Sequence, residues 1–329
     1  FLGRLGPMFV GTIHAYCFRI LQDHVPRYGN YDVLDEHRHS ALISRRRYDL
    51  DLAKLHSRHW NSIEMFKRAA DVIGNELLPV ESLAGTDIGE CYANYLGMLD
   101  RYKMLTFSMI IAKAVEVLQE DPAIYERVAG QLQHLIVDEY QDINPAQEQL
   151  IELLARPPVQ LCVVGDDDQA IYQWRGSDVS NILKFTARYA NVETIKLETN
   201  RRSRPLIVDS ANAFAQSIPD RLPKKMLSTR PKGLAEVVPW LGETPEAEAE
   251  TIAAHIEKLH AQGWRYQDMA VLFRSVRTSA PVLVEALETR GIPFNCGGRT
   301  GLFAHPEIND FGELFAWMAD FSWKDERFG

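Results

Sequence analysis

Residues 132–176 read LQHLIVDEYQDINPAQEQLIELLARPPVQLCVVGDDDQAIYQWRG, and they constrain the fold more than any other part of the chain. Two short apolar runs, Leu135-Ile136-Val137 and Leu161-Cys162-Val163-Val164, each end abruptly in carboxylates. Runs of this length, rich in branched residues and without polar alternation, suit strands buried on both faces of a parallel sheet. Between them Asn144-Pro145 supplies a helix N-cap followed by proline at the first helical position. Leu150, Leu153 and Leu154 then form an apolar face at helical spacing. The unit is strand–helix–strand, with Asp138-Glu139 and Asp166-Asp167-Asp168-Gln169 at the carboxyl ends of the strands. In open parallel sheets that edge is where ligands bind.

The rest of the chain is arranged around this unit. Met8-Phe9-Val10 reads as a short strand running into Gly11-Thr12-Ile13-His14 and a helix, with Thr12 as cap and His14 in the first turn. A local hydrogen bond would account for His14 as well as a functional contact would. Residues 23–103 lose the strand signal and carry helical patterns over 35–47, 57–78 and 87–103, which predicts a helical insertion. Its Arg45-Arg46-Arg47 run fits a solvated helix face or a phosphate contact. A helix over 107–119 leads back to the central unit. Beyond it, Ser177 is expected to cap a helix through Phe185, and residues 194–197 to form a third buried strand. That strand runs into Asn200-Arg201-Arg202-Ser203-Arg204-Pro205, where three arginines in four positions suit a polyanion. Residues 221–233 read as a linker. A second α/β pattern follows, with strands at 236–240 and 269–273 and helices at 244–262, 279–290 and 305–319.

At 329 residues two domains or more are expected. No apolar run is long enough to span a bilayer, so no membrane partner is expected. The four cysteines form no CxxC pair, which argues against zinc and for reduced thiols in a cytoplasm. A net charge of −9 argues against nucleic-acid binding by bulk attraction but allows a local basic groove.

An apolar strand ending in Asp-Glu can hold magnesium on the first carboxylate and orient or deprotonate an attacking water with the second. In the second acidic string, Gln169 offers an amide within reach of a phosphate or that water. Tyr172, Trp174 and Arg175 follow on a Gly-ended loop. Tryptophan is often a core anchor; on this polar loop it suits base stacking, worth about 1–3 kcal/mol per base.

These strings resemble motifs II and III of the UvrD/PcrA/Rep type of superfamily 1 DNA helicases. Leu197-Glu198-Thr199-Asn200-Arg201-Arg202-Ser203 resembles their motif IV, and Gly11-Thr12-Ile13-His14 their DNA-contacting Thr-x-His segment. The run from Ala270 to Gly298 is similar to a stretch of their second motor domain. The resemblance implies two RecA-like parallel-sheet domains, both incomplete here. The first comprises 1–22 and 104–220 with an insertion at 23–103, and the second 221–329. It implies an ATP-dependent motor that moves 3′ to 5′ on single-stranded DNA and acts at duplex junctions. By matching position, Asp138 is the magnesium ligand, Glu139 the catalytic base, Gln169 the γ-phosphate sensor and Arg202 an arginine finger. Trp174 is implied to stack on a base with Tyr172 and Arg175 beside it, and Thr12 and His14 to touch the strand.

Three departures qualify the resemblance. Arg201 stands where the family places a tyrosine against adenine; a planar guanidinium can also stack on a purine. Thr106-Phe107-Ser108 replaces an acidic segment. None of the twenty glycines precedes a lysine, so the chain contains no G-x-x-x-x-G-K-[ST] phosphate loop, and the family's motifs V and VI are absent too. The expectation is therefore an incomplete copy of a helicase. The alternatives are a non-catalytic DNA-binding scaffold and a helicase-like subunit of a nuclease complex.

Overall fold

The computed structural model describes residues 8–172, 176–233 and 237–297 together with Phe311. The chain divides into two compact units, Phe1–Lys232 and Gly233–Gly329.

The first unit is built on helix α5, Phe107–Glu120, after α1 (Ile13–His24), α2 (Glu36–Arg45), α3 (His59–Asn75) and α4 (Asp87–Tyr102). Ile110, Ile111, Ala114, Val115 and Leu118 of α5 are all buried, because α1, α3, α6 (Pro122–Ala129) and α7 (Pro145–Leu154) pack around it. The helical stretch begins and ends at one place: β1 (Asp32–Val33) pairs in parallel with β2 (Met104–Leu105), Asp32 opposite Met104. One continuous apolar cluster joins α1, α5 and α7 to buried residues of α2, α3 and α4.

Within the helical stretch His39 is buried, with Nε2 2.6 Å from the Tyr95 hydroxyl. Burial, reinforced by the Lys67 charge, lowers its pKa to about 4. The unfolded chain would bind this proton near pH 6.5, so the neutral ring's contribution is complete above that pH and is lost as pH falls toward 4. Chemical denaturation should show stability dropping by up to roughly 3 kcal/mol from this group across that window. The same slope in His39→Gln would dismiss the assignment.

The central unit has the expected order. β3 (His134–Val137) and β4 (Gln160–Val163) pair in parallel, Leu135 opposite Leu161 and Val137 opposite Val163, with α7 between them. Asn144 caps α7 in a reciprocal capping box with Gln147, and Pro145 occupies the first turn. The expectation of burial on both faces is corrected. Leu135, Val137, Leu161 and Val163 face the packed side, whereas Ile136 is 70% exposed. Among the described residues no second layer covers that face, so alternate side chains of each strand meet solvent.

Other strand expectations fail for a shared reason: an extended segment becomes a strand only with a partner for its backbone groups. Among the described residues Met8-Phe9-Val10 and residues 194–197 have no strand partner, nor do 237–240 and 269–273; Leu197 and Leu272 are 82% and 92% exposed. Instead β5 (Thr199–Asn200) pairs in parallel with β6 (Leu227–Ser228). The single helix expected from Ser177 is two short ones, α8 (Ser180–Leu183) and α9 (Phe185–Arg188), and Asp178 rather than Ser177 bonds the Ser180 amide. α10 spans Pro205–Ala215.

In the second unit α11 (Pro245–Ala261) and α12 (Val276–Thr289) pack through Ala249, Ala253, Leu283, Ala286 and Leu287. Thr244 caps α11 as expected, and Gly263, at φ +97°, supplies the left-handed residue that stops it. α12 starts three residues earlier than expected because Ser275 caps it. The strand at 236–240 begins on Glu236, which lies outside the described residues, as does the helix expected at 305–319 except Phe311. The architecture is α/β, with two incomplete RecA-like parallel-sheet regions and a helical insertion.

Candidate functional site

The β3 strand delivers Asp138 and Glu139 to the sheet edge, and both are exposed. Glu139 has a left-handed backbone, φ +52°, which turns the chain sharply into a short helical turn at Tyr140–Asp142. For a non-glycine residue this conformation costs on the order of 1 kcal/mol, and the surroundings hold it in place. The Tyr140 amide donates to Val164 O at 2.9 Å, and the Val164 amide to Val137 O at 2.8 Å. The Tyr140 ring is fully buried, edge-on to Phe185, and its hydroxyl donates to the Glu148 carboxylate. Glu148 also takes the Arg188 guanidinium and, at 3.1 Å, the Tyr189 hydroxyl. Tyr140 is thereby anchored directly behind the two exposed acids.

Gln141, whose role was not legible in the sequence, joins the two acidic loops. Its Nε2 donates to Glu139 Oε2 at 2.8 Å, and its Oε1 accepts from the Asp166 amide at 2.9 Å. Its side chain fits because position 165 is glycine: a Cβ there would stand 2.7 Å from Gln141 Oε1 and 2.8 Å from Ile182 Cδ1. Gly165→Ala is expected to displace Gln141 and destabilise the first unit by about 1–3 kcal/mol, the usual cost of overpacking. Urea denaturation checks this, and an unchanged midpoint would show that the bridge can relax.

In the second loop Asp166 caps its own turn, accepting from the Asp168 amide at 3.2 Å and from Gln169 Nε2 at 2.8 Å. Gln169 is exposed. The acids beside it face the protein. Residues 221–224, which read as linker, dock on them: Arg221 donates twice to Asp168, at 2.9 and 2.7 Å, and Lys224 Nζ contacts all three carboxylates. The Arg221 hydrogen bonds hold the Asp168 carboxyl below the usual range. Burial pushes Asp166 up, but hydrogen bonds from Gln169 and Lys224 outweigh it and keep that carboxyl low as well.

Arg201 and Arg202 follow β5 and are exposed; the Asn200 side chain shapes their turn by accepting from the Arg202 amide at 3.0 Å and the Ser203 amide at 2.8 Å. Thr12 caps α1 through the Ala15 amide at 3.1 Å. His14 lies edge-on to Phe107, centroids 5.3 Å apart, and burial lowers its pKa. The intervening Ile13 packs on the Val137–Tyr140 cluster, which brings this corner beside the β3 end. Tyr172 is exposed; Trp174 and Arg175 lie outside the described residues.

One Asp138 oxygen accepts from the Glu139 amide at 2.9 Å, and among the described residues no hydrogen bond or ion pair is made by the other. Magnesium at nucleotide sites needs one or two carboxylates, with phosphate and water completing an octahedron, so this donor set fits. No helix among the described residues is long and apolar enough to cross a membrane.

Comparison with known proteins gives two family matches, one after the other along the chain. The family model for the UvrD/REP helicase N-terminal domain matches residues 3–190, and that for the UvrD-like helicase C-terminal domain matches residues 195–319. The chain is 32% identical over 315 residues to an ATP-dependent DNA helicase PcrA of Staphylococcus aureus (strain Mu50 / ATCC 700699), covering 92% of this chain and 42% of that protein. It is 32% identical over 324 residues to the PcrA of Bacillus subtilis (strain 168), covering 93% and 43%, and 31% identical over 322 residues to that of Leuconostoc citreum, covering 95% and 42%. The chain thus spans less than half the length of these curated relatives. With both domain models matched in order along a fold of the expected class, the chain belongs to the UvrD/REP helicase family.

Proposed function

We propose that this chain is part of an ATP-dependent motor that couples nucleotide hydrolysis to 3′–5′ movement along single-stranded DNA, and that its substrates include duplex junctions. The observation that carries this reading is the Gln141 bridge, which ties the loop of Asp138 and Glu139 to the loop of Asp166 and Gln169. The bridge joins an exposed carboxylate pair to a second strand-end loop at the carboxyl edge of a parallel pair of strands, the edge at which such sheets bind ligands.

ATP with magnesium would supply the transferable phosphoryl group. Asp138 would offer its remaining carboxylate oxygen to the cation. Glu139, with Oε2 engaged by Gln141, leaves Oε1 to receive the proton of a water. Gln169 stands at the phosphate side, where a change in its amide partner is felt by Asp166 and so by Gln141. Arg202 neutralises negative charge as it develops, a role that accounts for roughly 10³–10⁵ in rate in other phosphoryl-transfer enzymes. Arg201 stacks on the adenine. Trp174, Tyr172 and Arg175 contact bases and backbone of the strand, and Thr12 and His14 add contacts beside them.

The test is ATP turnover by the full-length protein with and without single-stranded DNA. Stimulation by DNA is expected, and Trp174→Ala should reduce the stimulated rate by about 10-fold, in line with the loss of one stacked base, while sparing basal turnover. Equal loss of both rates would make Trp174 a packing residue. Turnover indifferent to DNA would overturn the motor.

A further inference from the structure

We propose that residues 221–228 form a positioning strap that fastens the loop of Gln169 to the turn of Arg202, so that the two shift together. What the two ends do rests on the function proposed above; the linkage itself rests on geometry.

On one side the strap holds the acidic loop. Three carboxylates in three consecutive residues repel one another, and the Asp167 side chain is only 4% exposed, so water cannot screen the charge. Arg221 neutralises Asp168, and Lys224 sits among all three, 2.9 Å from Asp166 and 3.3 Å from Asp168. The Leu222 amide donates to the second oxygen of Asp167 at 2.7 Å. Removal of a cation that is itself largely buried would leave an uncompensated acid in place, so this grip is held by charge and not by shape alone.

On the other side the same eight residues grip the arginine turn. Lys196 donates to Pro223 O at 2.6 Å and the Lys225 amide to Glu198 Oε1 at 3.0 Å. β6 then lies alongside β5, with the Leu227 amide on Glu198 O at 2.8 Å and Ser228 Oγ on Ser203 O at 2.6 Å. Ser203 is the residue after Arg202, and its amide shares the Asn200 acceptor with that of Arg202. A displacement of Asp166 to Asp168 therefore reaches Arg202 through the eight or fewer residues of backbone between Arg221 and Ser228. The strap falls within the residues matched by the C-terminal-domain model, yet packs as part of the first compact unit. It is where a segment must lie to make the finger arginine answer to the sensor loop.

The experiment compares wild type, Lys224→Met and Lys224→Arg in the full-length protein, with Arg221→Gln as a milder variant should Lys224→Met fold poorly. Amide hydrogen exchange should accelerate by about 10-fold or more in both 166–170 and 199–203, with α5 unchanged. The kcat for DNA-stimulated ATP turnover should fall by about 10²-fold, the scale of a small misplacement, with KM for ATP little changed. Lys224→Arg should restore both. Faster exchange confined to 166–170 would reduce the strap to a local brace and overturn the linkage. Loosening of both segments with undiminished kcat would equally overturn a positioning role. If the wild-type protein turns over no ATP, the functional reading falls, and the exchange pattern alone still decides whether the linkage exists.

Discussion

Glu139→Gln in the full-length protein is expected to lower DNA-stimulated ATP turnover by about 10²–10⁴-fold, the usual contribution of a general base, while leaving affinity for single-stranded DNA unchanged. The substitution is informative because it preserves the local structure. An amide oxygen can still accept from Gln141 Nε2, and the left-handed backbone at position 139 is as accessible to glutamine as to glutamate. Asp138 keeps the hydrogen bond from the residue 139 amide. The variant therefore removes a proton acceptor without removing a contact. Phosphate release in steady state measures the first effect and fluorescence anisotropy with a labelled oligonucleotide the second. Turnover within about twofold of wild type would take Glu139 out of the chemistry.

The largest effect on stability is expected at Glu148. Its side chain is 7% exposed and accepts from the Tyr140 hydroxyl, the Arg188 guanidinium and the Tyr189 hydroxyl. Glu148→Ala removes the acceptor that two hydroxyls and a cation share and leaves Arg188 with only the neutral Asn181 Oδ1, at 3.0 Å; breaking a buried pair in this way costs about 3–5 kcal/mol. Arg188 retains a third of its exposure and can recover water, so the low end of that range applies. Tyr140→Phe removes one donor and leaves the ion pair, and should cost only about 1 kcal/mol. Urea denaturation of both variants at neutral pH separates them. A cost below about 1 kcal/mol for Glu148→Ala would mean that the network is ornamental. Because Tyr140 directly follows Glu139, the same variant should also disturb the site, which ties the stability of the α7–α9 region to chemistry at the sheet edge.

The strand expectations show where sequence reading works and where it stops. The β3–α7–β4 unit was legible because each of its signals is local: branched apolar runs, an Asn-Pro cap and acids at the strand ends. Residues 194–197 and 269–273 carry the same kind of apolar run and form no ladder among the described residues, because pairing needs a partner that the run itself does not contain. The bounds of α5 and α11 could be anticipated from the apolar pattern of 107–119 and from Thr244-Pro245.

By itself, the sequence offered the candidate residues: Asp138, Glu139 and Gln169 stand at the ends of two apolar runs, and the roles considered for them and for Arg201 and Arg202 come from the resemblance of those strings to helicase motifs. Only the tertiary structure decided what holds them. Glu148 meets Arg188 across 40 positions, Asp168 meets Arg221 across 53, and Asp166 is joined to Gln141 across 25. Such pairs leave no local signature, since each partner taken alone is an ordinary polar residue. They are selected only when folding removes water from both and leaves each as the other's remaining source of a hydrogen bond or a countercharge.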